Sequence, residues 1–224
     1  MLEVNNLSKS YSNTPILKNV SLTLNSNRIH FIMGRNGSGK TTFIKCLLGL
    51  EHYEGTITYG GKVLEDVRKG IFAIFDDIPL YNDLNGFQNI RLMLSDKKFF
   101  DKNYIAELGL LSDKKLKENI KNYSLGERKK LALIAAILNN PKYLIIDEIS
   151  NGLDIETLET LREKLNVLRQ NSLILATGHH FEFYESIIDE LLVLNAGTLT
   201  YISDYRKGGD KLYEIYKQYI ASGK

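Results

Sequence analysis

The nine residues Gly34-Arg35-Asn36-Gly37-Ser38-Gly39-Lys40-Thr41-Thr42 constrain this chain more than any other segment. They follow a short apolar run, residues 28–33, and precede residues 42–50, where Phe43, Leu47 and Leu50 recur at helical spacing. A G-x-x-x-x-G-K-[ST] pattern between a strand and a helix has the form of a phosphate-binding loop. Glycines there let backbone N–H groups turn inward around phosphate oxygens, where a Cβ would collide. The helix that follows points its partial positive end at the same oxygens. Lys40 is placed to reach β- and γ-phosphates and the Thr41 hydroxyl to ligate Mg2+. An ordinary glycine-rich turn would match the pattern by accident in on the order of one chain in a hundred, and the flanking strand and helix lower that further.

The rest of the chain supplies an α/β context. Residues 2–7 and 16–24 alternate apolar and polar side chains, as half-buried strands do. Residues 56–59 and 63–64 read as strands around Gly60-Gly61, and 71–75 as another. Between Asp83 and Leu138 the character turns helical, as in 101–108 and 125–138. After Pro141 strands resume at 143–146, 173–176 and 191–194, with a helix at 158–168. The pattern predicts one domain over 1–224: a nucleotide-binding core from 1–82 and 140–224, with a helical subdomain inserted over about 83–139. Leu212, Tyr213, Tyr216, Tyr219 and Ile220 fall on one helical face, which predicts a closing helix packed on its own core.

Composition excludes several classes. The net charge of +2 gives no reason to expect a nucleic acid or an acidic surface as partner. Cys46 is the single cysteine, so no disulfide forms within the chain and a reducing compartment is the default. No stretch approaches the ~20 apolar residues of a spanning helix. The N-terminal MLEVNNLSKSY carries an acid and no apolar core, unlike a signal peptide. A soluble, cytoplasmic protein is expected, acting at a membrane only by docking on another protein.

Two further patterns carry chemistry. Leu144-Ile145-Ile146-Asp147-Glu148 is an apolar strand ending in two acids. Beside a phosphate loop, Asp147 suits the metal, and Glu148 suits a general base or a water-positioning group. Ser124 sits at the start of the 125–138 helix with Glu127 three residues on. That spacing fits a plain capping box and a second anion site equally well.

Taken in order, the loop, the Ser124-Leu125-Gly126 helix start, Asp147-Glu148, Gly152-Leu153-Asp154 and the strand leading to His179 resemble the ATP-binding cassette (ABC) ATPases over essentially the whole chain. The resemblance implies a P-loop NTPase (RecA-like) core with an N-terminal antiparallel β subdomain and an inserted α-helical subdomain. It also implies ATP and Mg2+ as ligands, all nine loop residues around the phosphates, and Tyr11 stacked on adenine. Cassettes of this kind pack head to tail, so Ser124, Gly126 and Glu127 would contact the nucleotide of a second subunit, in a homo- or heterodimer. Asn151-Gly152-Leu153-Asp154 resembles the dimer-contacting loop. Thr177-Gly178-His179 resembles the switch whose histidine contacts the γ-phosphate, with His180 its neighbouring competitor.

The chain departs from the family at three points. Asp76, followed by Asp77, stands where a metal-touching glutamine is usual, so Asp76 is a candidate Mg2+ ligand through its carboxylate oxygen. Leu125 and Glu127 replace the usual Gly and Gln, a variant resembling small bacterial exporters. Ile149-Ser150 lacks the common proline. The implied function is the ATP-hydrolysing subunit of a membrane transporter, peripheral on the inner face of the cell membrane and joined to a separate transmembrane permease. Residues 80–90 resemble the surface that receives the permease's coupling helices. An alternative is a soluble ABC ATPase acting on the ribosome or nucleic acid. Such relatives usually add tandem cassettes, coiled coils or zinc modules, none visible here. A third reading, a module that binds but hydrolyses poorly, is opposed by Glu148 and His179.

Overall fold

Apolar residues follow one another without interruption along the strands of the larger sheet, as burial on both faces demands. The computed structural model of the protein describes residues 1–221, with side chains described through Tyr219. Its strands are β1 (Leu2–Tyr11), β2 (Thr14–Leu24), β3 (Ile29–Met33), β4 (Glu54–Tyr59), β5 (Ile71–Ile74), β6 (Tyr143–Asp147), β7 (Leu173–Thr177), β8 (Glu190–Asn195) and β9 (Thr198–Ile202). Helices α1 (Lys40–Leu47) and α2 (Leu64–Val67) precede β5. Between β5 and β6 come α3 (Gly86–Met93), α4 (Lys102–Glu107), α5 (Asp113–Leu116) and α6 (Leu125–Asn139). Helices α7 (Ile155–Leu168), α8 (Phe181–Glu185) and α9 (Leu212–Tyr216) complete the set.

β2, β1 and β4 form an antiparallel sheet in that order. The six-stranded sheet runs β5-β6-β7-β3-β8-β9, parallel except for the edge strand β9. Its alternation builds two cores. Phe31, Leu144, Ile146, Ile174, Ala176 and Val193 face the core formed with the α3–α8 helices. Ile32, Ile145, Leu175 and Leu192 face the other core, closed by α1 and the antiparallel sheet. This is the expected P-loop core with an N-terminal antiparallel β layer and helices gathered between β5 and β6.

Local chemistry moves several boundaries. α1 begins at Lys40 and ends before Leu50, which is exposed. Gly49, at φ +65°, terminates it: its N–H bonds the Cys46 carbonyl and the Leu50 N–H bonds the Lys45 carbonyl, a Schellman ending. The expected strand at 63–64 is instead the start of α2. Leu64 and Val67, three residues apart, pack on the core, and Glu65 and Asp66 suit the first turn of a helix. β9 escaped the sequence reading because its hairpin turn is Ala196-Gly197, both at positive φ, where Asn-Gly or Asp-Gly would signal the turn.

The C-terminal face also differs. α9 continues into a π-helical turn, Lys217–Ala221, and it buries Leu212 with Ile215 and Tyr216 packed beside it. Tyr213 is 56% exposed and Tyr219 36%, so the closing helix holds but its tyrosine stripe mostly faces water. The Ile220 side chain lies outside the described residues. Leu212→Ala is therefore expected to cost about 2–5 kcal/mol, whereas Tyr213→Ala should shift stability by about 0.5 kcal/mol or less. Urea unfolding of both variants checks this, and equal losses would contradict the docking face.

Candidate functional site

β3 ends at Met33, and the chain leaves its C-terminal end into the glycine loop. A Cβ on Gly34 would lie 2.7 Å from the Leu194 carbonyl oxygen, so the loop starts in close contact with β8. Gly37 and Gly39 have φ of +76° and +106°, left-handed conformations that glycine adopts without strain. Arg35, Asn36 and Gly37 form an exposed tip, and Ser38 Oγ is buried without a hydrogen-bond partner. Gly39 precedes α1 with no side-chain cap, so the first N–H groups of that helix are left for a ligand. Thr42 is half-buried in its first turn. Lys40 is 6% exposed and folds back onto the loop, donating to the Gly34 and Arg35 carbonyls at 3.0 and 3.2 Å. Burial pushes its ammonium below the ordinary lysine range, against the pull of Glu148 and Asp147.

β6 and β7 bring the acids to the same end of the sheet, where Asp147 is the register partner of Thr177. The Asp147 carboxylate accepts from Thr41 Oγ1 at 2.8 Å and from Thr177 Oγ1 at 2.5 Å. A hydroxyl and a carboxylate side by side are the hard oxygen donors that suit Mg2+, which takes few protein ligands. Thr41 and Asp147 therefore fit a Mg2+ ion.

Glu148 follows with φ +55°, a left-handed conformation that costs a non-glycine residue about 1–2 kcal/mol. Its Oε2 accepts from Asn151 Nδ2 at 2.7 Å. Its Oε1 lies 3.2 Å from His179 Nε2, at ion-pair distance but not aligned for a hydrogen bond. His180 is exposed, so His179 is the member of the pair that joins the site. Thr177 O accepts from Glu148 N at 3.2 Å and from the buried Tyr184 hydroxyl at 2.9 Å. Tyr184 stacks on Phe31 at 4.2 Å and abuts Gly178, where a Cβ would lie 2.5 Å from the ring. This tyrosine backs the whole corner, and nothing in the sequence order signalled it.

Ser124, Gly126 and Glu127 form a separate group at the start of α6. Ser124 Oγ accepts from Glu127 N at 3.2 Å, and Glu127 Oε2 accepts from Ser124 N at 2.8 Å, a complete capping box. The hydroxyl proton of Ser124 is not used by that bond, so capping and anion contact are compatible. Partial burial raises the Glu127 pKa, but the Ser124 N–H and the Lys115 ammonium at 3.1 Å outweigh it and hold the carboxyl below its usual range. A Cβ on Gly126 would meet the Gly152 carbonyl oxygen at 3.5 Å, an ordinary contact. Asp154 caps α7, accepting from Thr157 N at 2.7 Å. Tyr11 ends β1, 42% exposed, with Lys9 Nζ 4.6 Å from its ring centre.

Asp76, the candidate Mg2+ ligand just beyond β5, is exposed. Its Oδ1 is 2.8 Å from Lys129 Nζ, a fully buried ammonium, so one carboxylate oxygen pairs with a lysine. Among the described residues no three His, Cys, Asp or Glu side chains converge as a metal cage. Lys129 was missed because a lysine inside a charged stretch, Glu127-Arg128-Lys129-Lys130, reads as surface.

The sequence and the fold both have known relatives. The family model described as ABC transporter matches residues 17–151. The chain is 29% identical to the lantibiotic transport ATP-binding protein SrtF of Streptococcus pyogenes, covering 98% of this chain and 97% of that protein. It is 32% identical to the methionine import ATP-binding protein MetN of Clostridium acetobutylicum, covering 91% of this chain and 69% of that protein. A solved structure of an ATP-binding subunit of an ABC transporter superposes with a TM-score of 0.85 at 27% identity, covering 97% of this chain and 98% of that one.

The Thr177 hydroxyl can be tested alone. Thr177→Val keeps the volume and the strand preference but leaves one oxygen of the buried Asp147 carboxylate without its donor. A loss of about 1.5–3 kcal/mol is expected in urea unfolding, largely recovered in Thr177→Ser. A valine variant as stable as the parent would show that the bond contributes nothing.

Proposed function

The chain belongs to the ABC transporter family of ATP-hydrolysing subunits, and we propose that it energises a small bacterial exporter through a separate membrane-spanning subunit. The observation that carries the reading is the meeting of Lys40, Thr41, Asp147, Glu148 and His179 at the C-terminal ends of adjacent parallel strands, the end where α/β sheets bind ligands. ATP phosphates would lie against the N-terminus of α1, and Lys40 would exchange its two loop carbonyls for their oxygens. Thr41 and Asp147 would hold Mg2+, which neutralises charge on the phosphates. Glu148 would accept a proton from a water whose oxygen bonds to the γ-phosphorus as the bond to the ADP oxygen breaks, leaving ADP and phosphate. His179, close to Glu148 but unaligned with it, would turn Nε2 on the γ-phosphate. Little covalent work is asked of the protein, so positioning and electrostatics dominate.

Each site is half-built in one chain. Ser124, Gly126, Glu127 and the free amides at the start of α6 would cover the nucleotide of a second subunit, and Asn151–Asp154 would line the contact. Tyr11 would stack on adenine through the face that Lys9 leaves open. ATP then favours a closed dimer and hydrolysis the open one, a shift between two populations. The surface around α3, with Tyr81 and Leu92 exposed, would dock the permease at the inner face of the membrane. No helix among the described residues is long and apolar enough to cross the bilayer, which fits transport through another chain. Export is supported by the Ser124-Leu125-Gly126 variant, and a role in transport by the end-to-end alignment with the lantibiotic transport protein.

Glu148→Gln is expected to abolish turnover while retaining ATP affinity, and to give a dimer in the presence of ATP by analytical ultracentrifugation. A variant that stays monomeric at saturating ATP would refute the shared site. Recovery of the chain from solubilised membranes with a multi-spanning partner is the expected result for the transporter. Cosedimentation with ribosomes or nucleic acid alone would refute it.

A further inference from the structure

Lysine is almost never fully buried unless its charge is matched. Lys129 is 1% exposed as a residue, five positions into α6 from the Ser124 cap, and its ammonium is completely engaged. The Nζ donates to Asp76 Oδ1 at 2.8 Å, to the Glu148 carbonyl at 3.1 Å and to the Asn151 carbonyl at 2.8 Å. An ammonium has three N–H groups, so all three are used. The partners come from two separate segments: the chain just beyond β5, and the turn that leads from β6 into α7.

Two of those acceptors sit at the ends of the Glu148–Asn151 turn. That turn starts on a residue at φ +55°, and its two ends are also joined through the Asn151 amide on the Glu148 carboxylate. Lys129 is thus the group that fixes both carbonyls of a strained turn whose side chains set the carboxylate's direction. Removing the ammonium would take the Lys129 donor from the Asn151 carbonyl and leave the Glu148 carbonyl on its longer bond from Asn151 N at 3.3 Å, so the turn would be freer to relax. We infer that Lys129 is a positioning residue for ATP hydrolysis, pinning the Glu148–Asn151 turn so that the Glu148 carboxylate stays aimed at the phosphate loop, with Asp76 as its counter-ion. The inference rests on the proposed role of Glu148. It also ties α6 to the reacting end of the sheet, because α6 cannot slide without moving the pin.

The test uses the full chain and compares Lys129→Met, Lys129→Arg, Asp76→Ala and the Asp76→Ala/Lys129→Met double variant. Lys129→Met should lower kcat about 10- to 100-fold, the scale of a misplacement near 1 Å, with KM for ATP within about twofold. Lys129→Arg, which keeps charge and donors, should recover much of that loss. Asp76→Ala should lower Tm by stranding a buried cation, yet retain its Mg2+ dependence and most of its turnover. The double variant removes the stranded charge, so its Tm should recover above that of Asp76→Ala while kcat stays as low as in Lys129→Met. A folded Lys129→Met protein with parental kcat would overturn the proposal, as would a double variant in which Tm and kcat recover together. If Lys129→Met does not fold, the double variant gives the same readout. Glu148→Gln run alongside separates the two readings. If it too keeps full turnover, the role of Glu148 fails; if it is inactive while Lys129→Met is active, only the pin fails.

Discussion

β3 has no free edge and no free face. It is hydrogen-bonded in parallel to β7 on one side and β8 on the other, and its residues Ile29–Met33 are all buried. A strand held on four sides delivers its last residue to one place, and that residue is followed at once by Gly34. The Leu194 carbonyl from β8 then comes so near that a side chain on Gly34 has no room. The phosphate loop is therefore the rigid continuation of a fully enclosed strand. The Asp147 carboxylate and Thr177 hydroxyl are placed by the adjoining strands β6 and β7 with the same economy, since parallel neighbours in register end at the same level.

The site that results is polar, nearly satisfied and slightly strained. Lys40 occupies its own loop carbonyls, and Asp147 has a hydroxyl on each oxygen. The exceptions are informative: Ser38 Oγ and His179 Nε2 are buried without aligned partners, and Glu148 sits in a left-handed conformation. Buried polar groups left unpaired and non-glycine residues at positive φ both cost free energy. All three lie on residues that face the nucleotide in the proposed reading. An arrangement that gains partners only when phosphate arrives binds its ligand by relieving those defects, as differential stabilisation requires.

How much of this was legible in the residues depends on how local the physics is. The loop, the Asp147-Glu148 strand end, the Ser124 cap and the α6 helix were readable because each is set by neighbours in sequence. Boundaries failed where a terminating device acted through one residue, as at Gly49, or where an unusual turn residue hid a hairpin, as at Ala196. The tyrosine stripe of the C-terminal helix looked continuous, yet among its described side chains only Leu212 is fully buried, because the face that docks is set by α8 and not by periodicity. Tyr184 and Lys129 were invisible for a related reason. Each acts on residues brought near by the fold, and neither spacing nor composition encodes such a contact.

Asp76 shows what this means for reading a departure from a family pattern. An acid where an amide is usual looks, in isolation, like a change in metal chemistry or an unwelcome anion beside a triphosphate. The structure supplies a buried cation, Lys129, at 2.8 Å. A buried lysine without a counter-charge is costly, and a carboxylate beside phosphates without a cation repels them. Lys129 alone would be a stranded buried charge, and the exposed Asp76 carboxylate balances it. The same ammonium then has two N–H groups left for the turn beneath Glu148, which a shorter or neutral side chain could not reach and bond together. The departure at 76 is thus better understood as half of a pair whose other half faces the reaction.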